Sequence, residues 1–228
     1  MSSSRLIMIT AVVCLFAGRV AAQETAVASH ATFAREHAAG GGRSHEGFFL
    51  RLMAGGAGGG TSYEEAGFGG AVDRTRTLGA GSMTEVAVGW AVAPNLVVHA
   101  NLHLAYLSGY KKTGQVRYED EERVDTLVGF FGAGATYYFM PANVYVSGAI
   151  GPGGLSETLG HRYEDHESNV GFGSALSFGK EWWLGRRAEW GLGVALAGSY
   201  HRAPLEVDGV SSTFHGSLAG IALSATYN

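Results

Sequence analysis

Between Ala188 and Tyr200 the chain reads AEWGLGVALAGSY. Ala188, Trp190, Leu192, Val194, Leu196 and Tyr200 alternate with Glu189, Gly191, Gly193, Ala195, Ala197 and Ser199. A period of two puts successive side chains on opposite faces of a strand. The segment therefore has one bulky apolar face and one face of small or polar residues. Asn95–Leu107, NLVVHANLHLAYL, repeats the pattern: Leu96, Val98, Ala100, Leu102, Leu104 and Tyr106 face one way, His99, Asn101 and His103 the other.

Six further segments of strand length complete a set of eight: 47–55, 78–92, 126–139, 144–151, 170–183 and 212–227. Their connections alternate in length. Ala93-Pro94-Asn95, Met140 to Asn143 and Leu184 to Arg187 are hairpin-sized, while 56–77, 108–125, 152–169 and 202–211 are long and polar. Thr126 to Ser156 carries no charge and is long enough for a membrane helix, but Pro141, Asn143, the glycines and the period of two argue for strands. The 36 glycines among 228 residues are about twice the usual ~7%. They lie beside Val, Phe, Tyr and Trp, which is the composition of strands and turns rather than of disorder.

The N-terminus has the pattern of a signal peptide: Arg5, an apolar core from Leu6 to Ala17, and Val20-Ala21-Ala22 before an expected cleavage at Gln23. Residues 1–22 are thus expected to be removed, 23–46 to form a polar periplasmic segment, and 47–228 the barrel. The only cysteine, Cys14, leaves with the signal, so no disulfide or thiol chemistry is expected. Losing Arg5 and Arg19 leaves 14 basic against 20 acidic residues, a formal charge of −6 that excludes nucleic acid as a partner.

The tryptophans decide which face meets lipid. Trp90, Trp182, Trp183 and Trp190 all flank short turns, joined by Tyr137 and by Tyr227 at the end of the last segment. These six form an expected interfacial belt, with Tyr106, Tyr110 and Tyr200 marking a second. The fold class read from the sequence is all-β, an eight-stranded antiparallel up-and-down transmembrane β-barrel in a bacterial outer membrane.

Eight strands enclose a lumen only about wide enough for side chains. The pairs Gly79/Gly81, Gly132/Gly134, Gly171/Gly173 and Gly191/Gly193 fall on the inward face and leave room for Arg51, Met53, Phe130, Tyr138 and Tyr145. No helix follows these pairs, so they are not dinucleotide fingerprints, and no cofactor is expected. The lumen is expected to hold a hydrogen-bonded polar network of Arg51, Glu85, His99, Asn101, His103, Glu181, Glu189 and His201, with Arg51 paired to Glu85. His99 and His103 lie about 13 Å apart along one strand, too far to share a zinc ion, so no metal is expected without ligands from other strands.

The eight segments resemble small outer-membrane barrels of the OmpA/OmpX type. The stretches HEGFFLRL (His45–Leu52), GWAVAPNLVV (Gly89–Val98) and GKEWWLGRRAEWGLGVAL (Gly179–Leu196) look like those of uncharacterised barrel proteins of myxobacteria. The resemblance implies outer-membrane lipid, lipopolysaccharide and the barrel-assembly machinery as partners. Two departures stand out: nothing resembling a peptidoglycan-binding domain follows the barrel, and the chain ends Tyr227-Asn228 where the family usually ends in an aromatic residue.

Three functions remain open. A non-enzymatic surface barrel would contact extracellular partners through its long loops, where Arg117-Tyr118-Glu119-Asp120 and Arg162-Tyr163-Glu164-Asp165 are candidate cation sites or simply solvated charge. His166-Glu167-Ser168-Asn169 resembles the His and Ser element of lipid A 3-O-deacylases, which makes His166 and Ser168 alternative catalytic residues, although no carboxylate occupies a third position. A small channel or ligand carrier would require an open lumen.

Overall fold

The computed structural model describes residues 44–66, 72–113, 123–159, 165–184, 189–207 and 210–228. Among the described residues nine strands are formed: β1 (Phe48–Ala66), β2 (Val72–Ala93), β3 (Leu96–Thr113), β4 (Arg123–Phe139), β5 (Val144–Leu159), β6 (Asp165–Glu167), β7 (Gly171–Leu184), β8 (Trp190–Val207) and β9 (Val210–Tyr227). Every pairing is antiparallel. β1 to β5 pair in chain order, β5 then pairs with β7, β7 with β8, β8 with β9 and β9 with β1, so eight strands close into one ring. The three-residue β6 pairs only with β5, above the end of β7.

The register fixes the shape of this ring. Paired residues lead from Leu78 to Gly60, Ser217, Tyr200, Ser174, Ile150, Ala133 and Ala100, and return to β2 at Val88, ten residues beyond the start. Ten residues of offset, about 33 Å, across eight strand spacings of about 4.8 Å give a strand tilt of about 40°. The apolar face then has a measurable height. At that tilt each residue rises roughly 2.5 Å along the barrel axis and each step to a neighbouring strand roughly 3 Å. Outward-facing Phe48, Trp90, Tyr137, Phe139, Trp182 and Trp190 fall in one belt at the short-turn end, and Tyr106, Phe172 and Tyr200 in a second. The belts are separated by about 24 Å, the height of an outer-membrane apolar band. Between them Leu, Val, Ile and Phe side chains face outward, many of them half-exposed.

The core lies inside the ring, where Phe49, Arg51, Met83, His103, Tyr138, Tyr145 and Phe214 are buried. Glycine makes room for the rings. A Cβ on Gly173 would lie 2.6 Å from Phe130, and one on Gly179 would lie 2.6 Å from Tyr145.

The long connections are shorter than the sequence suggests. β1 and β2 stay paired from Gly56↔Ser82 out to Ala66↔Val72, and β8 and β9 out to Val207↔Val210. These extensions carry the barrel wall beyond the second belt. The run GAGGG in β1 has too few side chains to display alternation, which is why it reads as a loop.

Candidate functional site

The short-turn end of the lumen is closed by a strap that precedes β1. Two turns reach it, at Pro94-Asn95 and at Pro141 to Asn143, and each contains an asparagine with positive φ, at 65° for Asn95 and 51° for Asn143. Asparagine tolerates this left-handed conformation better than most residues, and both side chains turn toward the strap. His45 N donates to Asn95 Oδ1 at 3.0 Å, His45 Nε2 lies 2.8 Å from Asn143 Oδ1, and the His45 ring stacks on Tyr138 at 3.5 Å. Gly47, at φ +79°, turns the chain from the strap into β1. Burial lowers the His45 pKa from 6.5 to about 4 against the opposing hydrogen bond to Asn143, so the ring is neutral at pH 7. Sequence patterning assigned His45 to the polar segment before the barrel. Its position was hidden because its partners lie 50 and 98 residues away.

Above the strap, Arg51 crosses the lumen. Its Nη2 donates to Glu85 Oε1 at 2.9 Å and to Ser147 Oγ at 2.7 Å, and its Nη1 lies 3.4 Å from Thr136 Oγ1. The guanidinium carbon stands 4.9 Å from the Tyr145 ring centre and 5.7 Å from that of Phe49. Thr136 donates to Ser147 at 2.8 Å and lies 3.1 Å from His99 Nε2. One carboxylate and one guanidinium, fully enclosed and hydrogen-bonded on several sides, satisfy the requirement for burying charge. Glu181 accepts from Thr226 at 2.6 Å and from Tyr138 at 3.3 Å.

Higher still, His103 stacks on Phe130 at 5.4 Å and faces His201 at 5.9 Å, while His201 Nε2 lies 3.2 Å from Ser199 Oγ. Among the described residues, neither nitrogen of His103 nor the Asn101 amide has a hydrogen-bond partner, and no group of three or more His, Cys, Asp or Glu is placed to hold a metal ion. Glu157 adds a carboxylate that sequence patterning missed because it sits in a polar run. It is buried, and its Oε1 accepts from Thr126 at 3.2 Å and Thr61 at 3.4 Å.

Two residues depart from their expected places. Glu189 is exposed just before β8 begins, outside the lumen network, because the inward alternation starts only with the strand. Trp183 is not part of the lipid belt. Adjacent residues point to opposite faces, so Trp182 is 52% exposed while Trp183 turns inward, its ring 4.7 Å from His45. Tyr227 is partly covered and packs against Trp190 at 5.3 Å.

Ser168 has a backbone role. Its Oγ accepts from Leu155 N at 2.9 Å and its own N donates to Leu155 O at 3.1 Å, continuing the β5 ladder across the gap between β6 and β7. The register sets Glu157 opposite His166 along the backbone. Residues 117–120 and 162–164 of the two charged clusters lie outside the described residues.

No known family profile and no curated protein matches the chain. Solved structures similar to it include the outer membrane protein OprG of Pseudomonas aeruginosa, with 12% identity, a TM-score of 0.47, and coverage of 81% of this chain and 98% of that one. The outer membrane protein AlkL, determined in lipid bilayers, has 15% identity, a TM-score of 0.48, and coverage of 83% and 93% respectively. Neisserial surface protein A has 11% identity, a TM-score of 0.39, and coverage of 77% and 95%. At these identities the likeness is one of fold: the chain is similar to small outer-membrane β-barrels.

Proposed function

We propose that the protein is a non-enzymatic outer-membrane barrel with a plugged lumen, exported by the segment 1–22 and exposing its extended strands and long connections to the cell exterior. Its role is then envelope-structural or one of surface interaction, with outer-membrane lipid and lipopolysaccharide around the wall and an extracellular partner at the far end. One observation carries the reading. Arg51, Glu85, Tyr138 and Tyr145 meet across the lumen, leaving an ion path only if a buried charge pair is broken. Planar-bilayer recordings test it: the wild-type barrel gives no steady single-channel conductance, and a steady conductance overturns the plug.

A second reading, lipid A deacylation, is favoured by the Glu157↔His166 register with Ser168 two residues on. Mass spectrometry of lipid A from cells expressing wild type or Ser168→Ala separates the two. Identical lipid A in both supports the non-enzymatic reading, and loss of an acyl chain only with Ser168 present supports the enzyme.

A further inference from the structure

The lipid-facing wall is not uniform. Across β5, β7, β8 and β9 a shallow groove runs along it, walled by Leu176, Phe178, Leu196 and Ile221 and floored by Gly198 and Ala219. The walls are among the most exposed large apolar side chains of the ring, at 64%, 55%, 61% and 61% respectively. A glycine and an alanine between them leave an apolar depression between the four bulky side chains. By the axial geometry above, most of the groove occupies the half of the apolar band nearer the long-connection end.

The groove ends at a polar group rather than at more apolar surface. Tyr200 stands at its upper end with its hydroxyl 2.9 Å from His215 Nδ1. Arg202 follows on the same outward face, directly paired in register with His215. Arg202 is exposed, its register partners Phe172 and His215 bring no acid, and it forms no ion pair with a carboxylate among the described residues. A cation with no carboxylate partner among the described residues, placed just past the outer aromatic belt and above an apolar furrow, complements a phosphate attached to fatty chains.

We propose that this groove is a binding site for a phosphorylated, acylated lipid of the outer leaflet. One acyl chain lies over Gly198 and Ala219, the Tyr200 hydroxyl meets the headgroup sugar or glycerol, and Arg202 with His215 holds the phosphate. The proposal rests on the outer-membrane reading above, because it requires this wall to face lipid with the long-connection end outward.

Native mass spectrometry of the refolded barrel in detergent, with purified lipid A as the probe, tests the site. The expected result is one lipid retained per barrel. Retention falls about tenfold for Arg202→Gln and for dephosphorylated lipid A, as loss of a charge-assisted contact predicts. Ala219→Phe fills the furrow without touching the charge and lowers retention similarly. Equal retention by both variants, or equal retention of the dephosphorylated lipid, overturns the site. A barrel dimer in place of the lipid adduct assigns the groove to a second copy and overturns it too. Each sample is checked for a heat-dependent mobility shift in SDS. A missing shift in the wild type overturns the barrel reading itself, and the site with it, whereas a normal shift with unchanged retention overturns the lipid site alone.

Discussion

The Arg51–Glu85 pair makes the sharpest demand on the structure. Both side chains are buried, 34 residues apart in sequence and 2.9 Å apart in the lumen. Removing one partner leaves the other charged in an enclosed site, which costs about 3–5 kcal/mol. Glu85→Gln is expected at the lower end of that range, because Arg51 keeps Ser147, Thr136 and two aromatic faces. Arg51→Met is expected at the upper end, because Glu85 loses the cation that neutralises it. The double variant Arg51→Met/Glu85→Gln buries no charge and should lie within about 2 kcal/mol of wild type, a coupling of roughly 3 kcal/mol or more. The assay is urea unfolding of barrels refolded into phosphatidylcholine vesicles, followed by tryptophan fluorescence. Additive single effects, with a coupling below about 0.5 kcal/mol, would refute the pairing as the organising contact of the lumen.

Three further outcomes follow from the same geometry. Because the pKa of His45 is lower in the folded state than the usual 6.5, stability from strap docking is complete above pH 6.5. It declines as pH falls toward 4, by roughly 3 kcal/mol in all. Hydrogen exchange at Ala91 and Asn95, whose amides bond the strap carbonyls of Gly47 and His45, should lose protection over that window after correction for intrinsic rates; constant protection contradicts it. Gly179→Val drives a side chain into Tyr145 and should destabilise by several kcal/mol or block refolding. Gly148→Ala faces lipid, with its nearest contacts at 3.9 Å, and should be neutral or slightly stabilising; similar refolding yields and urea midpoints for the two would contradict the inward packing. In vesicles of brominated lipid, Trp182→Phe should reduce the quenchable tryptophan emission and Trp183→Phe should leave it nearly unchanged. The reverse pattern would return Trp183 to the belt.

Much of the fold was legible in the sequence because its signals are local. Alternation along Asn95–Leu107 and Ala188–Tyr200 separates two faces within each strand, and the clustering of Trp90, Trp182 and Trp190 beside short turns shows which of them meets lipid. Where alternation fades, in the glycine run of β1 and the polar run around Glu157, strands read as loops. The pair Trp182-Trp183 shows the same limit from the other side. Composition marks both as belt residues, and only the strand's alternation, anchored by its register with β8, turns one of them inward.

The sequence by itself determined that the chain forms antiparallel strands, that one face is apolar, and that His99, Asn101 and His103 share the opposite face. Tertiary structure alone decided which of these polar groups meet. Ring closure with a ten-residue offset brings Arg51 to Ser147, His45 to Asn143 and His103 to His201. Their separation along the chain runs from 96 to 98 residues for the first two pairs. The physical reason is that a period of two assigns a side chain to a face without fixing its height, and height in a barrel depends on the stagger of every strand around the ring.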